Sequence, residues 1–238
     1  MSNTVAIFRR ELSGLFGRPL AYIALTLFIL LLGFVELGLN DLLLAGRASM
    51  RDPFFWIAAW FLFLLPAVTM GLIAEERRTG TLELLVTLPV TPTQIVVAKW
   101  LAAVAFTIVA LALTASYPLA LCFLGELDWG PVVGGYLGLL LLGATITAIG
   151  TATSAATPHQ MVAFLVAFLL CVLPWLVGFA LTRFPAASTP LIQYLTFEYH
   201  FSNLSRGVID SRSLIFYGSI IFLSLRVAVL FLQQRRLT

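Results

Sequence analysis

The densest charge in this sequence is the block Glu75-Glu76-Arg77-Arg78, in a chain of which only 11% is charged. Thr79-Gly80-Thr81-Leu82-Glu83-Leu84-Leu85 follows it. Placed after an apolar run, such a block marks the exit of a helix from lipid. Glu36 and Arg226 fall inside apolar runs, while His159 and His200 are expected on opposite membrane faces. Catalysis inside a bilayer would need converging groups, yet no aspartate or histidine lies mid-span. Neither Gly-x-Ser-x-Gly nor His-Glu-x-x-His occurs. An intramembrane enzyme is therefore disfavoured. Separated histidines, and two cysteines (Cys122 and Cys171) at different depths, argue against a metal site and a disulfide. A P-loop ends in Gly-Lys-Ser/Thr, whereas the single lysine, Lys99, stands between Ala98 and Trp100. Any nucleotide-driven work must be delivered by another chain, and no cofactor is expected in this one.

These groups are positioned by membrane helices. Hydrophobic residues make up 61% of the 238, against about 45–50% in an ordinary globular chain. The apolar stretches reach roughly 20 residues, enough for a helix to cross about 30 Å of hydrocarbon. The sequence predicts an all-α polytopic membrane bundle, one transmembrane domain over 1–238, with six helices at 20–39, 54–73, 93–121, 132–156, 161–181 and 214–232. The first run follows Arg9, Arg10 and Arg18 but is too long for a secretory h-region of about 7–15 residues, and is read as a retained helix.

Charge gives an orientation. The net charge of +3 sits in short segments beside the apolar runs, a membrane-orientation signal and not a nucleic-acid surface. With the N-terminus inside, cytoplasmic segments hold eight basic residues: Arg9, Arg10, Arg18, Arg77, Arg78, Lys99, Arg235 and Arg236. External segments hold five: Arg47, Arg51, Arg183, Arg206 and Arg212. Both termini are expected in the cytoplasm, with the chain in a cell inner or plasma membrane.

Local chemistry sets several helix starts. Asp52-Pro53 reads as an N-cap before a first-turn proline, and Thr91-Pro92-Thr93-Gln94 and Thr157-Pro158-His159-Gln160 read as capping boxes. Over 1–18, Val5, Phe8, Leu12 and Leu15 form an apolar stripe, with Arg9, Arg10, Glu11 and Ser13 on the other side. That pattern suits an amphipathic helix lying in the cytoplasmic interface. The external segment 182–213 is too aromatic for a solvated loop and too short in its apolar pieces to span, so short re-entrant or interfacial helices are expected there.

Between the second and third spans, Gly80 can cap a helix over 81–88 with Glu83 three residues on, before Pro89 stops it. Leu82, Leu85 and Val86 can then share one face. The alternatives are a rigid knob able to pass a push into two membrane helices, and a polar turn with incidental helix.

The run 75–85, with Leu88-Pro89-Val90 and Lys99 opening the next span, resembles the cytoplasmic loop of type-2 ABC exporter permeases. The stretch Phe197-Glu198-Tyr199-His200-Phe201 through Ser205-Arg206-Gly207-Val208-Ile209-Asp210 resembles the branch of gliding-motility and nitrous-oxide-reductase-maturation permeases. The resemblance implies a permease half that pairs with a second, identical or paralogous half. It implies docking on cytoplasmic ABC ATPase subunits, which hold ATP and Mg, through a coupling segment at 75–91. On that reading Glu75, Glu76, Arg77, Arg78, Gly80, Thr81, Leu82, Glu83, Leu84 and Leu85 contact the ATPase. Hydrolysis belongs to the partner, and the chain itself is not an enzyme. The competing expectation is a non-transporting scaffold that carries ATPase-driven motion to an external partner protein.

Glu36 and Pro174 within the spans, and Phe197 and Tyr199 in the external segment, are candidates for a pathway or gate. For Glu36 the alternative is a carboxylate reaching outer water, and this is preferred. Arg226 is expected either to snorkel to the cytoplasmic phosphates or to pair inside the bundle, and no pair with Glu36 is expected. The small residues of the fourth span, from Gly143 to Ala156, predict tight helix packing in preference to a substrate lining. Pro118 and Pro174 predict kinks.

Overall fold

Where no water is at hand, a chain must satisfy its backbone hydrogen bonds internally, which favours long helices. In the computed structural model, which describes residues 3–39, 49–81, 90–125, 127–183, 190–208 and 210–234, six helical runs of 18 to 32 residues are long and apolar enough to cross a membrane. Helix α1 (Asn3–Phe16) precedes them. The first span is α2 (Pro19–Gly33), which passes into a π-helical turn at Phe34–Leu39. The second is α3 (Arg51–Thr69), continued beyond a break by the short α4 (Ala74–Arg78). The third comprises α5 (Pro92–Thr114) and α6 (Ser116–Leu124); then come α7 (Trp129–Ala156) and α8 (Gln160–Arg183). After the short α9 (Pro190–Tyr194) and α10 (Phe197–Ser205), α11 (Ser211–Gln234) completes the six. The expected all-α bundle is observed, with no strand among the described residues.

The spans alternate in direction and so define two ends. One carries α1, α4 and the starts of α5 and α8. The other carries α9, α10 and the starts of α3, α7 and α11.

Of the three predicted helix starts, one forms as expected. The Gln94 N–H donates to Thr91 Oγ1 at 3.3 Å, and the Thr91 N–H to Gln94 Oε1 at 3.0 Å. The box expected at Thr157 does not form. Thr157 Oγ1 accepts from the His159 N–H at 3.2 Å instead, and the Gln160 side chain turns away to Glu75. Asp52 is not a cap either, because α3 begins at Arg51, whose N–H is bonded to Ser49 Oγ at 3.3 Å. The third span breaks at Ala115, three residues before Pro118, where the proline ring crowds the Thr114 carbonyl and supplies no N–H to it. Helix α8 runs through Pro174 without interruption.

Helix α7 is the axis of the bundle, packed against α3, α5, α8, α10 and α11. It is buried almost continuously from Gly138 to Ala155. In lipid no hydrophobic drive brings helices together, so close backbone approach over small residues supplies the attraction. A Cβ added at Gly135 would fall within the Phe54 ring, one at Gly143 would lie 2.5 Å from Thr107 Cγ2, and one at Gly150 would collide with Thr69 Oγ1. The expected tight packing of this span is thus present on its α3 and α5 sides.

Two short helices, α9 and α10, occupy the segment where short helices were expected. Phe197, His200, Phe201 and Leu204 form the buried face of α10. His200, expected at a membrane face, is 1% exposed there, with its ring stacked on Phe216 at 4.1 Å between centroids. Its Nε2 lies 3.0 Å from the Tyr194 carbonyl and so carries the proton, leaving Nδ1 to accept from Ser213 Oγ at 3.0 Å in the neutral ring. Burial lowers the His200 pKa below its ordinary 6.5, partly offset by the Tyr194 carbonyl and by Asp210. Unfolding therefore frees a stronger base. The unfolded chain binds more protons, and this corner loses stability as pH falls below about 6.5, by up to about 1.4 kcal/mol per unit. The protection of the α10 amides, taken against their intrinsic exchange rate at each pH, is expected to fall between pH 7.5 and 5, and the His200→Gln variant to flatten that dependence.

Candidate functional site

The charge block lies on α4, and four neighbouring elements fix it there. Helix α3 ends at Thr69, whose hydroxyl donates to the Leu65 carbonyl at 2.8 Å, and Met70 to Ile73 form a turn instead of the predicted continuation to residue 73. Ser154 of α7 bridges this break. Its Oγ accepts from the N–H groups of Ile73 and Ala74, each at 3.0 Å, and donates to the Met70 carbonyl at 2.8 Å. A side chain 80 residues away in sequence thus caps α4. Arg77 Nη1 donates to the Ala155 carbonyl at 2.8 Å, adding a second tie to α7.

The carboxylates make the remaining ties. Glu75 accepts from the Gln160 side chain of α8 and pairs with Arg78 at 3.1 Å. Glu76 Oε1 lies 3.0 Å from Lys99 Nζ and 2.9 Å from Arg10 Nη2. Lys99 also pairs with Glu11 at 3.0 Å, and Glu11 with Arg10 at 3.2 Å. Lys99 is 1% exposed and lies about 10 Å along α5 from its first residue. A buried ammonium at that depth is expensive to desolvate unless it is paired. Two carboxylates answer it, and the outer Arg10 guanidinium balances their second charge, giving a neutral quartet that joins α1, α4 and α5.

This corrects the reading of α1 in part: Phe8 and Leu15 of the expected stripe do pack against the bundle, but the face does not run through Val5. Ile7 is its buried residue and packs with Leu72, Ile73, Ile95 and Val96, while Val5 is 39% exposed. The inward face is therefore rotated toward Ile7 and Glu11, and Glu11 lies on it, not on the solvent side. Beneath α1 a cavity of about 280 Å³ is lined by Arg18, Ala21, Val68, Glu75, Glu76 and Lys99, among others.

Of the residues expected to contact a partner, Glu75, Glu76, Arg77, Arg78, Gly80 and Thr81 lie together at this end. Gly80 has φ +74°, a left-handed conformation that follows the end of α4 and that glycine adopts without steric penalty. Leu82, Glu83, Leu84 and Leu85, and with them the helix expected over 81–88 apart from Thr81, lie outside the described residues. None of the four gate candidates borders the cavity beneath α1, the one between Met50 and Ser205, or the one between Phe8 and Leu101. Glu36 is fully buried in the π-helical turn, close enough to Tyr117 of α6 to interact electrostatically, and does not reach outer water as expected. Phe197 and Tyr199 belong to the aromatic packing around Tyr194, His200 and Tyr217. Arg226 is exposed on α11, over the Phe222 ring, and pairs with no carboxylate among the described residues.

The family model described as ABC-2 family transporter protein matches residues 22–196, well over half of the chain. The chain belongs to the ABC-2 transporter family. It is therefore the multi-pass permease component of an ABC transporter, a membrane part that is generally not catalytic itself. An ABC-2 permease implies an ABC ATPase as partner and usually a dimeric arrangement. The match spans α4 with its attachments to α5, α7 and α8, whereas α1, which closes the quartet through Arg10 and Glu11, lies before it. No curated protein matches this ABC-2 chain.

Proposed function

We propose that this chain is the permease half of a type-2 ABC exporter, with both termini and α4 in the cytoplasm, and that the segment 75–91 receives the stroke of a partner ATPase that holds ATP and Mg. The observation that carries the reading is the anchoring of α4: Ser154 ties it to α7, Gln160 to α8, Lys99 to α5, and Arg10 to α1. A push arriving through 82–89 would enter four elements at once. A tethered polar turn would absorb the same push as local motion. The matched family supports the pairing with an ATPase, and the motif at 197–210 resembles the gliding-motility and nitrous-oxide-reductase-maturation branch.

Glu83→Lys and Leu85→Asp test this. Each is expected to weaken ATPase association about tenfold or more, equivalent to ~1.4 kcal/mol, while the thermal stability of the isolated permease stays unchanged. Normal assembly and ATP-dependent activity in both variants would refute the coupling role. In proteoliposomes containing the partner ATPase, substrate movement marks an exporter. ATP-dependent change at the α10 end without movement marks a mechanical scaffold.

A further inference from the structure

Helix α11 directs Ser213, Tyr217, Ala228, Val229 and Leu232 into the bundle. It is the most weakly buried span, with 17% of its apolar window covered, against 28% for the span at α8 and 33% for that at α2. The outward surfaces of α2 and α8 carry Leu, Ile and Val, as in Leu20, Ile23, Leu27 and Leu30, or Leu165, Leu169, Leu173 and Val177. That is an ordinary lipid-facing composition. The outward stripe of α11 differs: Ile215, Ser219, Phe222, Arg226 and Leu230 recur at spacings of 4, 3, 4 and 4 and are all exposed.

Arg226 decides what this stripe meets. It lies about 12 Å along the helix from Gln234, and a helix of 24 residues overhangs about 30 Å of hydrocarbon by only a few ångströms at each end. Its guanidinium carbon is 5.7 Å from the centroid of Phe222, one turn nearer the middle of the helix. The side chain thus leans toward the bilayer centre, as helical side chains do, and away from the nearer headgroups. A lipid phosphate would have to sink to reach it. Among the described residues none forms an ion pair with it. A charge at such a depth calls for a partner. A symmetric second copy docked through the same stripe would bring two arginines together and worsen the balance.

We propose that the outward stripe of α11 docks a transmembrane helix of a different chain, one that presents an aspartate or glutamate at the depth of Arg226. The surface is distinct from the α4 anchorage, and the proposal requires only that the chain spans a membrane.

A photoreactive benzophenone side chain at Ser219, in the full-length protein in its native membrane, tests it. Sequencing of the crosslinked peptide is expected to return a membrane span of another protein containing a carboxylate. The adduct is expected to persist in Arg226→Lys and to fall about fivefold or more in Arg226→Leu, as the loss of a polar contact between helices in lipid predicts. An unchanged melting temperature of Arg226→Leu shows that the loss is not one of folding. Crosslinks to a second copy, to lipid alone, to a span without an acidic residue, or to nothing overturn the proposal, as does an adduct indifferent to Arg226.

Discussion

Lys99→Met is expected to destabilise the bundle by about 3–5 kcal/mol, the loss typical when one partner of a buried ion pair is removed. Lys99 Nζ stands 3.0 Å from both Glu11 and Glu76, and without it two partly buried carboxylates would face each other with only Arg10 beside them. Like charges so close would draw in protons or water, or drive α1 from its seat on Leu72 and Ile95. Thermal unfolding of the purified protein should show the drop, and accelerated amide exchange confined to α1 and α4 should show where it begins. Adding Glu11→Gln and Glu76→Gln to Lys99→Met is expected to restore much of the loss, since paired amides of the same shape need no counter-ion. A quartet that only decorated the surface would give a change of under about 1 kcal/mol for the single variant.

Gly150→Leu is the second large effect expected. A Cβ there would overlap Thr69 Oγ1 and come within 2.8 Å of Thr69 Cβ, so a flexible side-chain tip cannot simply step aside. Helices α3 and α7 would have to separate at the end where Ser154 bridges the break in the second span. A loss at or above the upper end of the about 1–3 kcal/mol usual for overpacking is expected, with reduced yield of folded protein. Thr69→Gly removes the obstructing atoms, so the double variant should recover part of the loss. If Gly150→Leu melted like the wild type, the close approach of α3 and α7 would be wrong.

The sequence made some of this architecture legible because its signals were local. Apolar run length fixed the six spans, the four residues of the Thr91 box reported their own hydrogen bonds, and the run of Gly, Ala, Thr and Ser announced the packing of α7. What it concealed depends on pairs far apart in the chain. Nothing near Ser154 says that it caps a helix 80 residues earlier. Gln160 fits a capping box by spacing, yet Glu75, 85 residues away, takes its side chain. Glu11 was assigned to the wet side of α1 because the stripe through Val5 and Phe8 is more apolar, whereas a buried ammonium on α5 outweighs that difference. By position Arg226 was open to two readings, snorkelling or a pair inside the bundle. Its side-chain direction, set by the helix, could not be read from hydropathy. The charge block itself was legible, but not the four ties that hold it.

The bare backbone of α7 bears on where movement can occur. Gly135, Gly143 and Gly150 leave Phe54, Thr107 and Thr69 touching the helix surface itself, with no long side chains between to slide or re-pack. The second, third and fourth spans therefore resemble a stator. Rearrangement is easiest at the first span, one third buried, which meets this block through the larger side chains of Leu25, Phe28 and Leu32.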